Sequence, residues 1–210
     1  KAQQAAGGGP AMSKGASNWP GWRGVNRDGK SPDVGLARAW PAGGPKRLWQ
    51  VDMIGKGYST VAVVDGTVYT TGNVDNRLVL FAFDLEGKLR WQVEVGPAFT
   101  GSHPGSRSTP TIDQGRLYVT TGNGLVACHD AKTGKEVYGK QRFSPRGSFT
   151  ASPWACNGHL FFLSEDGLTY VVKPGPELEI VERNDLDEFC LASPAVVRDK
   201  LLIRTASKLY

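Results

Sequence analysis

Four stretches decide the reading: Ser59–Tyr69 STVAVVDGTVY, Ser108–Tyr118 STPTIDQGRLY, Ala151–Phe161 ASPWACNGHLF and Ala192–Leu202 ASPAVVRDKLL. They align without gaps. Each has a small pair, an apolar run, a turn pair and a second apolar strand. The turn pairs are read as Asp65-Gly66, Gln114-Gly115, Asn157-Gly158 and Asp199-Lys200. Asp-Gly and Asn-Gly tolerate the positive φ that a two-residue hairpin needs at both central positions. The turn anchors Gly66, Gly115, Gly158 and Asp199 recur every 49, 43 and 41 residues.

A second motif follows two of these hairpins. Phe81–Trp91 FAFDLEGKLRW and Ala127–Tyr138 ACHDAKTGKEVY each run strand, Asp, tight turn with Gly, then a strand closed by an aromatic. Trp49, in KRLWQV, ends an equivalent strand 42 residues before Trp91. The unit is thus four short antiparallel strands in about 42 residues, and helical periodicity is absent. Such a repeat predicts an all-β chain, a β-propeller whose blades bury their faces against one another. Trp49, Trp91 and Tyr138 are then expected to be buried as packing residues between blades. Residues 45–210 hold about four blades' worth of sequence, the last broken off in mid-blade, so a larger ring is expected.

The front of the chain differs. Residues 1–18 have almost no large apolar side chains and read as a flexible basic leader. Lys1, Lys14, Arg23, Arg27 and Lys30 against Asp28 supply four of the net five positive charges, leaving the repeats near neutral. No basic stripe with interleaved aromatics runs through the repeats, which argues against a nucleic-acid partner. No run of eighteen apolar residues is present, so no transmembrane segment is expected. Residues 19–44, opening WPGWRGVNRDG, read as a clasp, with Trp19 and Trp22 as packing anchors and Arg23 free to pair with Asp28.

Cys128, Cys156 and Cys190 match no zinc spacing and read as free thiols, with one disulfide plus a leftover thiol as the alternative. The acids Glu165-Asp166 and Asp185, Asp187 and Glu188 read as turn and connection residues, and no metal site is expected. His129 and His159 read as surface residues. His103 and Arg107 lie in a Gly/Ser-rich insertion, PAFTGSHPGSRSTP, that lengthens the first repeat spacing. Such insertions on one propeller face are candidates for binding.

The Asp130-x-x-Thr133-Gly134-x-x-x-Tyr138 turn resembles the pyrroloquinoline-quinone-like (PQQ-like) propeller repeat, with Tyr in place of the usual Trp. Asp84, Gly87 and Trp91 match a version one residue shorter. The opening WPGWRGVNRDG is similar to the entry segment of secreted bacterial, planctomycete-type proteins of that superfamily. The resemblance covers roughly residues 45–210 and implies a periplasmic, secreted or cell-surface bacterial protein. True quinoprotein dehydrogenases in the superfamily use an adjacent Cys-Cys disulfide, a stacking Trp, calcium and a catalytic Asp. No Cys-Cys pair occurs here, so neither a PQQ cofactor nor catalysis is expected.

The expectation is a non-catalytic binding scaffold for protein or glycan. Its nearest analogue, at fold level, is the lipoprotein propeller of the outer-membrane β-barrel assembly machinery. A quinone-dependent dehydrogenase, or a piece of a larger cell-surface assembly, is the alternative. The candidate ligand residues are Tyr58, His103, Arg107, Arg146, Trp154 and Glu188, each just before or inside a repeat's first strand. They are expected to converge at one channel mouth, and to favour an anionic or sugar-like ligand.

Overall fold

The computed structural model describes residues 17–144, 147–198 and 200–210. The leader lies almost wholly outside them. Every regular element among the described residues is a strand. The first blade comprises β1 (Ala62–Val64), β2 (Thr67–Val74), β3 (Arg77–Asp84) and β4 (Leu89–Pro97). The second comprises β5 (Thr111–Asp113), β6 (Arg116–Thr120), β7 (Leu125–Asp130) and β8 (Glu136–Arg142). The third comprises β9 (Trp154–Cys156), β10 (His159–Leu163), β11 (Leu168–Lys173) and β12 (Glu179–Asp185). Each is an antiparallel meander in chain order, and β13 (Ala195–Val197) with β14 (Lys200–Leu202) starts a fourth.

The hairpin turns explain the register. Asp65 and Gly66, Gln114 and Gly115, and Asn157 and Gly158 all have positive φ between 46° and 75°. Two-residue turns of this hand match the twist of the strands they join. Of the fourth predicted turn pair, Asp199 lies outside the described residues, and Lys200 belongs to a strand and not to the turn. Lys200 pairs with Val197 as the first residue of β14, and Arg198 takes the left-handed position at φ 55°. The Asp turns also form as the motif requires. Asp84 Oδ1 accepts the Glu86 and Lys88 N–H groups, and Asp130 Oδ1 accepts the N–H and hydroxyl of Thr133.

The apolar core lies between blades. Leu80, Ala82 and Val95 meet Leu117, Val119 and Ala127 across the first interface. Tyr118, Val126 and Tyr138 meet Leu160, Phe162 and Tyr170 across the second. Trp154 and Leu163 meet Cys190 and Ile203 across the third. Of the three closing aromatics, Tyr138 is buried and Trp91 half-buried. Trp49 corrects the expectation: it remains 39% exposed. Its ring lies against Gly87 and its Nε1 donates to Leu85 O at 2.7 Å. Among the described residues, the segment carrying it belongs to no named strand.

A belt of hydroxyls ties the blades together where each inner strand begins. The Thr60 N–H donates to Thr109 Oγ1 at 3.2 Å, Thr109 N–H to Ser152 Oγ at 3.1 Å, and Ser152 N–H to Ser193 Oγ at 2.8 Å. All four are the second residue of the repeated small pair. Side chains small enough for the crowded hub also supply the acceptors that its backbone donors need.

Residues 19–27 form a strap across the inner strands. Trp19 and Val63 exchange both backbone hydrogen bonds, at 2.6 and 2.8 Å, and Pro20 O accepts the Ile112 N–H at 2.7 Å. Arg27 Nη1 and Nη2 point to Pro153 O and Pro194 O, each at 3.4 Å. One short segment therefore touches all four inner strands or their approaches. The buried anchor is Arg27, only 8% exposed, while Trp19 and Trp22 are half-buried. Asp28 pairs with Lys30 at 4.0 Å, not with Arg23.

Candidate functional site: the channel mouth

The residue just before each small pair occupies equivalent ground in successive blades: Tyr58, Arg107, Thr150 and Leu191. The first three, with His103, line an open cavity of about 340 Å3 at the mouth. The long insertion shapes it. A Cβ at Gly105, whose φ is 150°, would sit 3.0 Å from the Tyr58 ring. Glycine therefore lets the loop close over that ring. Tyr58 N–H donates to Ser106 O at 2.7 Å, and Ser106 Oγ donates to Thr71 O at 2.8 Å. Tyr58 itself stays 60% exposed.

Arg107 is the structural centre of the mouth. Its Nη1 donates to Thr150 Oγ1 at 2.9 Å and lies 3.8 Å from Glu165 Oε1. Thr150 Oγ1 donates to the same Glu165 oxygen at 2.5 Å, and Arg107 Nη2 donates to Ser102 O. The guanidinium stacks over Phe99, 4.2 Å from the ring centre. Its positive charge is thus neutralised by Glu165 and covered on one face. This changes the expected ligand preference: the cavity offers a phenol, an imidazole and apolar carbon, with no free cation from Arg107.

The six candidates do not all meet there. Tyr58, His103 and Arg107 do. Arg146 lies outside the described residues. Trp154 is 1% exposed, stacked on Phe161 with ring centres 5.2 Å apart, so it is core between the third and fourth blades and not a ligand residue. It starts the inner strand with its side chain turned into the blade interface. Glu188 is turned to the last hairpin, where it accepts hydrogen bonds from Thr205 Oγ1 and Tyr210 OH, both at 2.7 Å, and pairs with Lys208. Those three donors hold its carboxyl down at about 2, Lys208 contributing most.

Thr150 and Phe99 were missed by sequence reasoning, and Glu165 was read as a turn residue. Repeat phase alone would have found Thr150, since it is the third-blade equivalent of Arg107. Of the histidines, His129 is fully buried, contrary to the surface reading. Its Nδ1 lies 3.1 Å from Gly134 O, and burial lowers its pKa.

Cys128, Cys156 and Cys190 are free and lie in separate repeats. The carboxylate at the mouth, Glu165, is already engaged by Thr150 and Arg107.

A family model described as "Outer membrane protein assembly factor BamB" matches residues 75–175. A curated relative from Moranella endobia, bearing the same description, is 27% identical over 128 residues, 57% of this chain and 32% of that protein. Among solved structures, the quinohemoprotein alcohol dehydrogenase from Comamonas testosteroni superposes with a TM-score of 0.60 at 18% identity. The match covers 81% of this chain and 28% of the other. A europium-containing methanol dehydrogenase gives 0.52 at 18% identity, covering 65% and 26%. The chain thus spans about a third of the curated relative's length. At such identities the dehydrogenases share the fold alone. Blades, turns and matches together define a β-propeller of four-stranded antiparallel blades. The chain carries PQQ-like repeats over residues 75–175. Among the described residues, no helix is long and apolar enough to cross a membrane.

Proposed function

We propose that this chain is a binding scaffold of the bacterial periplasm or cell surface that holds a polypeptide partner at the channel mouth rimmed by Tyr58, His103, Arg107 and Thr150. One observation carries this reading: the Arg107 charge is balanced by Glu165 and covered by Phe99. The remaining surface is amphipathic, with an exposed Tyr58. A phenol flanked by polar groups is a common anchor for protein side chains, with large contact area and little rotamer entropy to lose. The match to proteins described as outer membrane protein assembly factors supports a protein partner.

The test is complementation. In cells lacking the full-length protein, the wild-type gene restores outer-membrane protein levels, and Tyr58→Ala with Arg107→Ala restores them much less at equal abundance. Full restoration by the double variant would move the binding surface elsewhere. No deficit on deletion would remove the assembly role.

A further inference from the structure

The strap end of the channel holds a buried cation, Arg27. Arg27 is 8% exposed, and no ion pair to it occurs among the described residues. Its two Nη contacts to Pro153 O and Pro194 O, at 3.4 Å, exceed ordinary hydrogen-bond length, and its Nε is buried with no acceptor. Trp22 and Trp154 each place a ring centre 5.8 Å from the guanidinium carbon. Ring faces offset only part of the cost of taking a guanidinium out of water.

Arg27 lines two cavities, of about 200 and 450 Å3, which share Val25 and Ala155. Arg198 lines the larger one, and Arg23 acts on Arg27 as a second positive charge nearby. The carboxylates there are Asp28 and Asp113. Asp28 is occupied by Lys30, through the backbone N–H at 3.0 Å and the ammonium at 4.0 Å. Asp113 forms no ion pair with Arg27 among the described residues, and burial raises its pKa.

We propose that the strap end of the channel is an oxyanion-binding site centred on Arg27, with a carboxylate as its best-matched ligand. The planar guanidinium presents parallel N–H groups at the spacing of carboxylate oxygens. A carboxylate there would replace two long carbonyl contacts with two charge-assisted ones. The site is separate from the mouth and stands whether or not that mouth binds a polypeptide.

Cys156 lines the larger cavity and is half-exposed, whereas Cys128 and Cys190 are buried. N-ethylmaleimide labelling of Cys156 therefore reads occupancy directly in the wild-type chain. Sodium acetate and inorganic phosphate, compared with sodium chloride at equal ionic strength, should slow labelling about tenfold near ten times their Kd. Arg27→Lys, which keeps the charge and loses the fork, should weaken the protection several-fold, and Arg27→Met should abolish it if it folds. A Glu-bearing peptide with blocked ends distinguishes the sources of the carboxylate. Stronger protection than acetate assigns the site to an acidic side chain, and equal protection assigns it to small free anions. Labelling slowed no more than by chloride, or slowed equally in wild type and Arg27→Lys, would overturn the proposal.

Discussion

The indole of Trp91, at the end of the first blade, lies against the backbone of Gly134, in the Asp turn of the second. A Cβ at Gly134 would come within 2.7 Å of the ring, and its φ of 73° already excludes most side chains. Trp91 also packs on Tyr69, with ring centres 5.9 Å apart. One blade's closing aromatic thus sits on the next blade's turn glycine, and Trp49 repeats the arrangement on Gly87. Trp91→Ala should cost about 3 kcal/mol, near the lower end for a large aromatic because the ring is only half-buried. Gly134→Ala should cost about 1–3 kcal/mol through backbone strain and ring displacement. Urea unfolding midpoints measure both, and a Trp91→Ala loss below about 1 kcal/mol would deny the ring its packing role.

The hydroxyl belt gives a second prediction. Ser152 Oγ accepts the Thr109 N–H at 3.1 Å in a buried setting. Ser152→Ala should cost about 1–3 kcal/mol, the penalty for stranding a buried donor. Ser152→Thr keeps the acceptor and should cost less. Amide exchange at Thr109 should accelerate in the alanine variant only.

Acid should loosen the fourth unit. The Glu188 carboxyl stands at about 2 in the folded chain against an ordinary value of 4.5, held down first by Lys208, then by Tyr210 and Thr205. A depressed acid contributes stability that is complete above its unfolded value. That contribution is lost as pH falls from about 4.5 towards 2. Unfolding midpoints should therefore drop across this window, and Glu188→Gln should flatten this part of the profile. An unchanged slope in the variant would separate Glu188 from the acid response.

Neutralisation at the mouth is equally open to measurement. Glu165→Gln removes the charge that balances Arg107 while keeping an acceptor for Thr150. The mouth should then gain affinity for inorganic sulfate by on the order of 1 kcal/mol, about fivefold, the scale of a partly exposed ion pair. Calorimetry showing no gain would mean that Glu165 does not set the charge of this cavity.

Repeat spacing, turn chemistry and strand alternation were legible in the chain itself, because each is a local property. Asp65-Gly66 and Asn157-Gly158 enforce two-residue hairpins through their own φ preferences. Asp84 and Asp130 cap their turns through atoms no more than four residues away. From these follow the four-stranded blade and the propeller; the same reading gathered Trp154 and Glu188 at the mouth with Tyr58, His103 and Arg107, and the structure places those two elsewhere.

What each side chain faces was decided only by the packing of one blade on the next. Trp154 and Arg107 both stand near the start of an inner strand, yet Trp154 turns into the interface with the fourth blade and Arg107 into the channel. Thr150 meets Glu165, and Arg27 meets Pro153 and Pro194, across separations of 15, 126 and 167 residues. The repeat brings such residues into register. Their charge balance, burial and partners come from tertiary contacts between units, which local preferences do not encode.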